Sequence, residues 1–292
     1  MSVQVNDPHA SVSVLLRTLK LSTMQRHSAS VTEQASREGW SFTQYLKQLC
    51  ELELIERTRR RVERNLQQSQ LSAEKTLAAL NTKKLSARCV KMLPTLCEGS
   101  WVTRGDNLLL FGLPGRGKTH MISAIGHELV QRGHKVLFVA TYALVQQLLL
   151  AKRELRLEKE LTELDRFELI ILDDIGYVQQ NRDEMEVLFT FLAERYERRS
   201  VAITSNLVFS EWNRIFKDPM TTAAAIDRLV HHAVIIEMSG GSIREEIAAA
   251  ALQTMSSSTR DNLSTTTTET QTSPSNDEKL HPELDPQRDP SK

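Results

Sequence analysis

Two hydrophobic patterns divide the chain. Between residues 96 and 252, short and nearly continuous apolar runs alternate with stretches whose apolar residues recur every three or four positions. Continuous runs of this length are typical of parallel strands buried on both faces, and the spaced pattern is typical of amphipathic helices. The predicted strands are Asn107–Phe111, Lys135–Ala140, Glu168–Asp173, Ser200–Thr204 and Ala233–Glu237. This alternation predicts an α/β fold, with a five-stranded parallel sheet and helices on both of its faces.

The N-terminal third carries only the helical pattern. A short helix is predicted within Val12–Thr23, and a longer one starts near Ser41, where Ser41 or Thr43 would cap its first turn. We therefore expect a small all-α region over residues 1–95, followed by the α/β domain over residues 96–252. From residue 253 to residue 292, polar and acidic residues replace apolar ones, so this tail is expected to be disordered.

Composition narrows the class of protein. The 292 residues are 40% hydrophobic and carry zero formal net charge, which suits a globular protein. No apolar run approaches ~18 residues and the first residues are polar, so we expect neither a membrane span nor a signal peptide, and a cytoplasmic protein. The three cysteines lack the spacing of a zinc motif, and free thiols are expected.

Positive charge is concentrated in one region. From Arg57 to Arg104, eleven Lys or Arg residues stand against three acidic residues. Such a surface attracts nucleic-acid phosphates in a salt-sensitive and sequence-independent way. No pattern resembling a base-reading helix-turn-helix is present, so largely non-specific binding of double-stranded DNA is the expectation. The alternative is that these basic residues form a solvent-exposed helix face that binds no partner.

The segment between the first predicted strand and the next helix contains G-x-x-x-x-G-K-[ST], the phosphate-binding P-loop. Its residues are Gly112, Leu113, Pro114, Gly115, Arg116, Gly117, Lys118 and Thr119. Glycines let successive backbone N–H groups point at phosphate oxygens, and the helix N-terminus adds partial positive charge. We expect Lys118 to contact the β- and γ-phosphates of ATP and the Thr119 hydroxyl to ligate Mg²⁺. No Asn-Lys-x-Asp guanine motif follows, which disfavours a GTPase.

Polar residues follow the apolar parts of two later strands. Asp173 and Asp174 come after four apolar residues, the pattern of a Walker B segment. Asp173 would hold the Mg²⁺ shell and Asp174 would orient or deprotonate the attacking water, although paired carboxylates can also cap a helix. Asn206 ends the next strand, and it would face the γ-phosphate if that strand lies between the other two. The alternative for Asn206 is a turn.

One arginine is a candidate for charge stabilisation in the transition state. Arg228 lies on a predicted helix before the last strand. Its planar guanidinium can donate in two directions to a phosphoryl group, and donation to a neighbouring subunit's nucleotide would make hydrolysis depend on assembly. A surface salt bridge is the alternative.

These motifs carry a family resemblance. The segments GLPGRGKT, LIILDD, ITSN and AIDRLVHHA, together with SEW at Ser210–Trp212, resemble the IstB family of transposition helper ATPases. That family is a bacterial branch of the AAA+ ATPases, close to the DnaC helicase loaders. The resemblance covers roughly residues 16–247 and does not include the tail. The P-loop occurs in many NTPases, whereas the later series of motifs is much more specific.

The resemblance implies an ATPase that assembles with ATP as a homo-oligomer on target DNA and delivers that DNA to a cognate transposase of an insertion sequence. It implies that Lys118 and Thr119 bind ATP and Mg²⁺, that Asn206 is the sensor-1 residue, and that Arg228 is the arginine finger. One alternative is a DnaC-like replicative helicase loader, which would be distinguished by binding a replicative helicase rather than a transposase. A nucleotide-gated adaptor without hydrolysis is the other.

Overall fold

Five parallel strands form the centre of the protein. The computed structural model describes residues 8–177, 182–216 and 218–238. The strands are β1 (Asn107–Phe111), β2 (Val136–Ala140), β3 (Leu169–Asp173), β4 (Ser200–Ser205) and β5 (Ala233–Glu237). Their order across the sheet is β2-β3-β4-β1-β5, and every neighbouring pair runs parallel. β4 therefore lies between the P-loop strand β1 and the Walker B strand β3.

Helices surround the sheet and form the N-terminal region. The first five are α1 (Pro8–Thr18), α2 (Ser22–Glu38), α3 (Phe42–Gln68), α4 (Ala87–Glu98) and α5 (Ser100–Thr103). Within the α/β region, the helices are α6 (Lys118–Gln131), α7 (Thr141–Arg153), α8 (Leu157–Leu164), α9 (Arg182–Arg195), α10 (Asn213–Phe216) and α11 (Pro219–Val230). Apart from the added α8 and α10, one helix connects each pair of successive strands, as a doubly wound sheet requires.

The alternating side chains of β1 show how the core is divided. Leu108 and Leu110 pack with apolar residues of α4 and α6 on one face of the sheet, whereas Leu109 and Phe111 pack with residues of α7, α9 and α11 on the other. All four side chains are buried. Burial of a large apolar side chain contributes roughly 1.5–3 kcal/mol, so both helical layers stabilise this strand.

The long helix α3 connects the N-terminal helices to the sheet. Its first turn is held by a capping box, in which the Ser41 side chain accepts from the Gln44 N–H and the Gln44 side chain accepts from the Ser41 N–H. Near its other end, the Asn65 amide donates to the carbonyl of Gly133 at 3.1 Å. Just beyond it, the Ser69 carbonyl accepts from the Phe138 N–H of β2 at 2.7 Å. The C-terminal part of α3 thus belongs to the packing of the α/β region.

A buried carboxylate joins α2 to α3. Glu53 of α3 accepts from the backbone N–H groups of Thr23 and Met24, at 2.8 and 3.1 Å, and from the Arg57 side chain at 2.8 Å. The first-turn N–H groups of α2 therefore find their acceptor on another helix. Burial alone would raise the pKa of Glu53, but these hydrogen bonds outweigh it and lower that pKa.

The sequence-based prediction of an α/β fold with a five-stranded parallel sheet and a helical N-terminal region is confirmed. Every predicted strand is present, with ends that differ by at most one residue. Helix α2 was missed because few of its residues are apolar, and α4 and α8 were not assigned. The predicted boundary between the all-α region and the α/β domain, at residue 95, falls within α4 and stays a prediction. The predicted tail, residues 253–292, lies outside the described residues, as does the boundary at residue 252.

No helix within residues 8–177, 182–216 and 218–238 is both long enough and apolar enough to span a membrane.

We expect the buried Asn107 to be a stability determinant at the start of β1. Its side chain donates to the Leu229 carbonyl at 3.1 Å and accepts from the Val201 N–H at 2.9 Å. Asn107→Leu would leave both buried backbone groups unsatisfied and should lower the free energy of unfolding by roughly 2–4 kcal/mol. Denaturant unfolding measures this change.

The matched control is Asn81→Leu, at an exposed asparagine that makes no capping hydrogen bond through its side chain. It should change the free energy of unfolding by less than about 0.5 kcal/mol. Equal effects of the two substitutions would contradict the assigned role of Asn107.

Candidate nucleotide-binding site

The P-loop connects the end of β1 to the start of α6. Gly115 and Gly117 have φ angles of 81° and 83°, in the left-handed region that glycine adopts without steric cost. Gly112 passes so close to the end of β5 that a Cβ atom there would lie 2.6 Å from the Met238 carbonyl oxygen. The loop ends at Lys118, where α6 begins, so the free N–H groups of the first helical turn face the phosphate position.

Lys118 is turned back onto its own loop. Its ammonium donates to the carbonyls of Gly112 and Leu113, at 2.5 and 3.0 Å. The exposed Leu113 and Pro114 form the outer part of the loop, and the half-buried Arg116 has one guanidinium nitrogen that is buried without a hydrogen-bond partner among the described residues. To contact phosphates, Lys118 exchanges its carbonyl acceptors for anionic oxygens, which bind an ammonium more strongly.

Asp173 lies within hydrogen-bond distance of the P-loop. The Thr119 hydroxyl donates to its carboxylate at 2.9 Å, and the Thr204 hydroxyl of β4 lies 2.7 Å from the same oxygen. A hydroxyl and a carboxylate placed together are oxygen ligands of the kind that Mg²⁺ prefers. Thr119 and Asp173 therefore fit the metal that accompanies a nucleotide triphosphate.

Asp174 follows β3 with a strained backbone. Its φ angle is 61°, an uncommon value for a residue other than glycine. The Asp174 N–H donates to the Thr204 hydroxyl at 2.8 Å, which holds this conformation against β4. Strain of this kind is concentrated at functional sites, and here it ends the strand directly beside Asp173.

Asn206 sits one residue beyond β4 and against the turn after β3. Its side-chain oxygen is buried and has no hydrogen-bond partner among the described residues. A Cβ atom on Gly176 would lie 2.3 Å from that oxygen, so only glycine leaves room for this asparagine. An uncompensated buried acceptor beside two carboxylates suits the binding of a water molecule or an ammonium group.

Arg228 lies at the other end of the sheet. It lines a cavity of about 240 Å³ together with Arg104, Gly105, Asn107, Tyr196, Glu197 and His232. Asn107 begins β1, whereas the P-loop follows its last residue, so the length of the strand, roughly 13 Å, separates the two regions. The Arg228 guanidinium carbon lies 4.5 Å from the centre of the Phe189 ring, and one guanidinium nitrogen is buried without a hydrogen-bond partner among the described residues.

The structure thus brings together the P-loop, Asp173, Asp174 and Asn206, and it leaves Arg228 apart from them. Two further residues of the site were not identified from the sequence. Thr204 bonds to both aspartates, and Gly176 makes room for Asn206. Thr204 lies two residues before Asn206 in the same motif, but its contacts with the aspartates depend on β3 and β4 being adjacent.

The chain matches the model of a known protein family. A family model described as "IstB-like ATP binding protein" matches residues 14–251. The chain belongs to this family. The match includes the P-loop, the Walker B strand, Asn206 and Arg228, which is the span over which the motifs resemble that family.

Two curated relatives illustrate the similarity. A putative insertion sequence ATP-binding protein of Sinorhizobium fredii is 44% identical over 83% of this chain and 82% of its own length. The insertion sequence IS21 putative ATP-binding protein of Pseudomonas aeruginosa is 36% identical over 80% of this chain and 88% of its own length.

Solved structures support the fold. The replication initiator DnaA bound to AMPPCP and single-stranded DNA superimposes with a TM-score of 0.51, at 16% identity over 63% of this chain and 56% of that chain. This similarity supports the α/β fold of the chain. With its P-loop, its Walker B aspartates and its membership of the IstB-like family, the chain is a P-loop ATPase that binds ATP.

We expect Gly176→Ala to act on ATP turnover through Asn206. The added methyl group would displace the asparagine oxygen, which it would otherwise approach to 2.3 Å. ATP turnover should fall by about 10-fold to 100-fold, the range found when an orienting partner is lost, with little change in ATP affinity. Steady-state turnover and nucleotide titration separate these two effects.

A double-mutant cycle distinguishes this mechanism from general damage to the fold. If Gly176 acts by accommodating Asn206, then adding Gly176→Ala to Asn206→Ala lowers turnover no further. Additive losses would show that Gly176 has a different role.

Proposed function

We propose that this IstB-like ATPase assembles with ATP as a homo-oligomer on double-stranded DNA and delivers that DNA to the transposase of an insertion sequence. The observation that carries the proposal is the separation of Arg228 from the P-loop by the length of β1. An arginine at that end of the sheet can serve only a nucleotide held by a neighbouring subunit. The names of the relatives, which are insertion sequence proteins, support transposition as the process.

The residues around the P-loop take distinct roles in this proposal. Thr119 and Asp173 hold Mg²⁺, which when bound neutralises charge on the phosphates. Asp174 orients the attacking water and accepts its proton, and Asn206 fixes the position of that water through its buried side-chain oxygen. Lys118 and the first N–H groups of α6 hold the triphosphate. Arg228 of the adjacent subunit stabilises the charge that develops on the transferred phosphoryl group.

Helix α3 supplies the surface proposed to bind DNA. A groove along it contains Arg57, Arg60, Arg61 and Arg64. Several arginines of this helix are already paired: Arg57 with Glu53, and both Arg59 and Arg60 with Glu56. Hydrogen bonds from Arg59 hold the pKa of Glu56 at about 2, so this carboxylate stays charged. Arg61 and Arg64 have no such carboxylate among the described residues and carry the surplus charge that phosphates would meet.

Contacts between α6 and the segment after α3 offer a route from DNA to the nucleotide. His120 directly follows Thr119, and its ring nitrogen Nε2 lies 3.2 Å from the Thr76 carbonyl. Two turns further along α6, His127 Nε2 lies 2.9 Å from the Ser72 carbonyl. The segment that leaves the basic helix is therefore bonded to the helix that begins with the P-loop. Displacement of α3 by bound DNA would act directly on α6.

The proposal is tested by DNA-stimulated ATP turnover. Duplex DNA should stimulate the wild-type protein, and Lys118→Ala should show no turnover because phosphate binding is lost. Arg228→Ala should bind ATP normally and lose about 10³-fold in stimulated turnover, the effect expected of an arginine finger. Absence of turnover by the wild-type protein with DNA at high protein concentration would refute the ATPase part of the proposal.

Mixing two inactive variants tests the action of Arg228 across subunits. Asp174→Asn should bind ATP, enter the assembly and still present Arg228. When it is mixed with Arg228→Ala, which keeps an intact nucleotide site, turnover should reappear at interfaces that combine the two. A mixture of Lys118→Ala with Arg228→Ala is the negative control, because Lys118→Ala cannot bind the nucleotide needed for assembly. Failure of the first mixture, with both variants shown to co-assemble, would assign Arg228 a role within its own subunit.

The salt dependence of DNA affinity tests the role of α3. Arg61→Gln combined with Arg64→Gln should reduce the slope of log affinity against log salt by about 2, because each lost phosphate contact removes roughly one unit. Arg166→Gln, at an exposed arginine in the turn between α8 and β3, is the matched control and should leave the slope unchanged. An unchanged slope in the double variant would exclude this helix as the DNA surface.

A further inference from the structure

Three side chains with metal-binding groups meet at the amino end of the sheet. His231 and His232 form the turn between α11 and β5, and Glu197 lies in the turn between α9 and β4. One ligand atom from each, a ring nitrogen or a carboxylate oxygen, lies within 4.8 Å of the other two. No second group of three such residues meets this distance in the described part of the chain.

We propose that Glu197, His231 and His232 bind a first-row divalent transition metal, with Zn²⁺ as the representative ion. Two imidazoles and one carboxylate are a ligand set suited to such metals rather than to Mg²⁺ or Ca²⁺, which prefer oxygen ligands alone. This site is separate from the Mg²⁺ position beside Thr119. It lies near Arg228, at the other end of the sheet.

The geometry around the three side chains favours ligation. Zn²⁺ requires ligand distances of about 2.0–2.2 Å, so the three groups must move closer by small side-chain rotations. Such rotations are open to them, because His231 and Glu197 have exposed side-chain fractions of 52% and 55%. The exposure also leaves room for water molecules as the remaining ligands. His231 Nδ1 and the nearer Glu197 oxygen are already only 3.6 Å apart.

Neighbouring residues orient two of the three ligands. The Tyr196 hydroxyl lies 2.7 Å from His231 Nδ1, and the two rings are stacked at an interplanar angle of 23°. Stacking against Tyr196 fixes the plane of the His231 ring, and the hydroxyl gives up its hydrogen bond when Nδ1 binds the metal. Glu197 has a φ angle of 56°, so its position in the turn depends on a backbone conformation that is uncommon for a residue with a side chain.

The local charge predicts moderate affinity. Arg228 and Arg104 line the same cavity as Glu197 and His232, and their positive charge opposes the binding of a dication. Asp227, next to Arg228, adds a second negative charge close to Tyr196. We therefore expect a dissociation constant in the micromolar range.

Titration calorimetry with Zn²⁺ on the full chain, without any histidine tag, is the test. One equivalent should bind, and His231→Ala, His232→Ala and Glu197→Gln should each lower the affinity at least about 10-fold, as loss of a ligand does. His27→Ala, at a histidine outside the cluster, is the matched control and should bind as the wild type does. Thermal unfolding without metal confirms that each variant is folded.

Spectroscopy identifies the ligands independently. Co²⁺ in place of Zn²⁺ should give visible d–d absorption of nitrogen and oxygen ligation, lost in the two histidine variants. A charge-transfer band from cobalt–thiolate bonds would instead assign the metal to a cysteine, of which Cys50 is the half-buried one. That band, or Zn²⁺ affinity unchanged in all three ligand variants, or no uptake by the wild type, would overturn the proposal.

Discussion

The parallel pairing of β3, β4 and β1 is the constraint on which the site depends. Phe111 of β1 is opposite Ser205 of β4, and Leu172 of β3 is opposite Ile203. Because the three strands run in the same direction at this register, their carboxyl ends form one level edge. The P-loop, the two aspartates and Asn206 all leave the sheet there. No long-range adjustment of loops is needed to bring these residues together.

The same strand direction has the opposite consequence for Arg228. Helix α11 runs back along the sheet so that β5 can start beside Asn107, and its last turn is therefore at the amino end of the strands. A residue at that position cannot meet the P-loop of its own chain. The strand direction that gathers the P-loop, the two aspartates and Asn206 at one end of the sheet thus places Arg228 at the other end.

The sequence predicted the features that depend on local pattern. Strands buried on both faces are continuous apolar runs, and the P-loop carries its own glycines, so both were correctly placed. Helix α2 was missed because its first turn is stabilised by Glu53, thirty residues away, and few of its own residues are apolar. The charge count from Arg57 to Arg104 did not include Glu53 and Glu56, which pair with Arg57, Arg59 and Arg60 in the structure. Side-chain pairing across turns of a helix was not part of that count. Thr204 was passed over because its role depends on which strands are adjacent.

Helix α3 contacts both the N-terminal helices and the α/β region. Glu53 in its first half receives the N-terminus of α2, and Asn65 near its end holds the turn after α6. A helix of 27 residues extends about 40 Å, and the arginines between these two contacts lie on one continuous rod. Through Asn65 and Ser69, this rod is hydrogen-bonded to the turn after α6 and to β2, and α6 begins at Lys118. The helix that carries the arginines is therefore packed directly against the elements that position the P-loop.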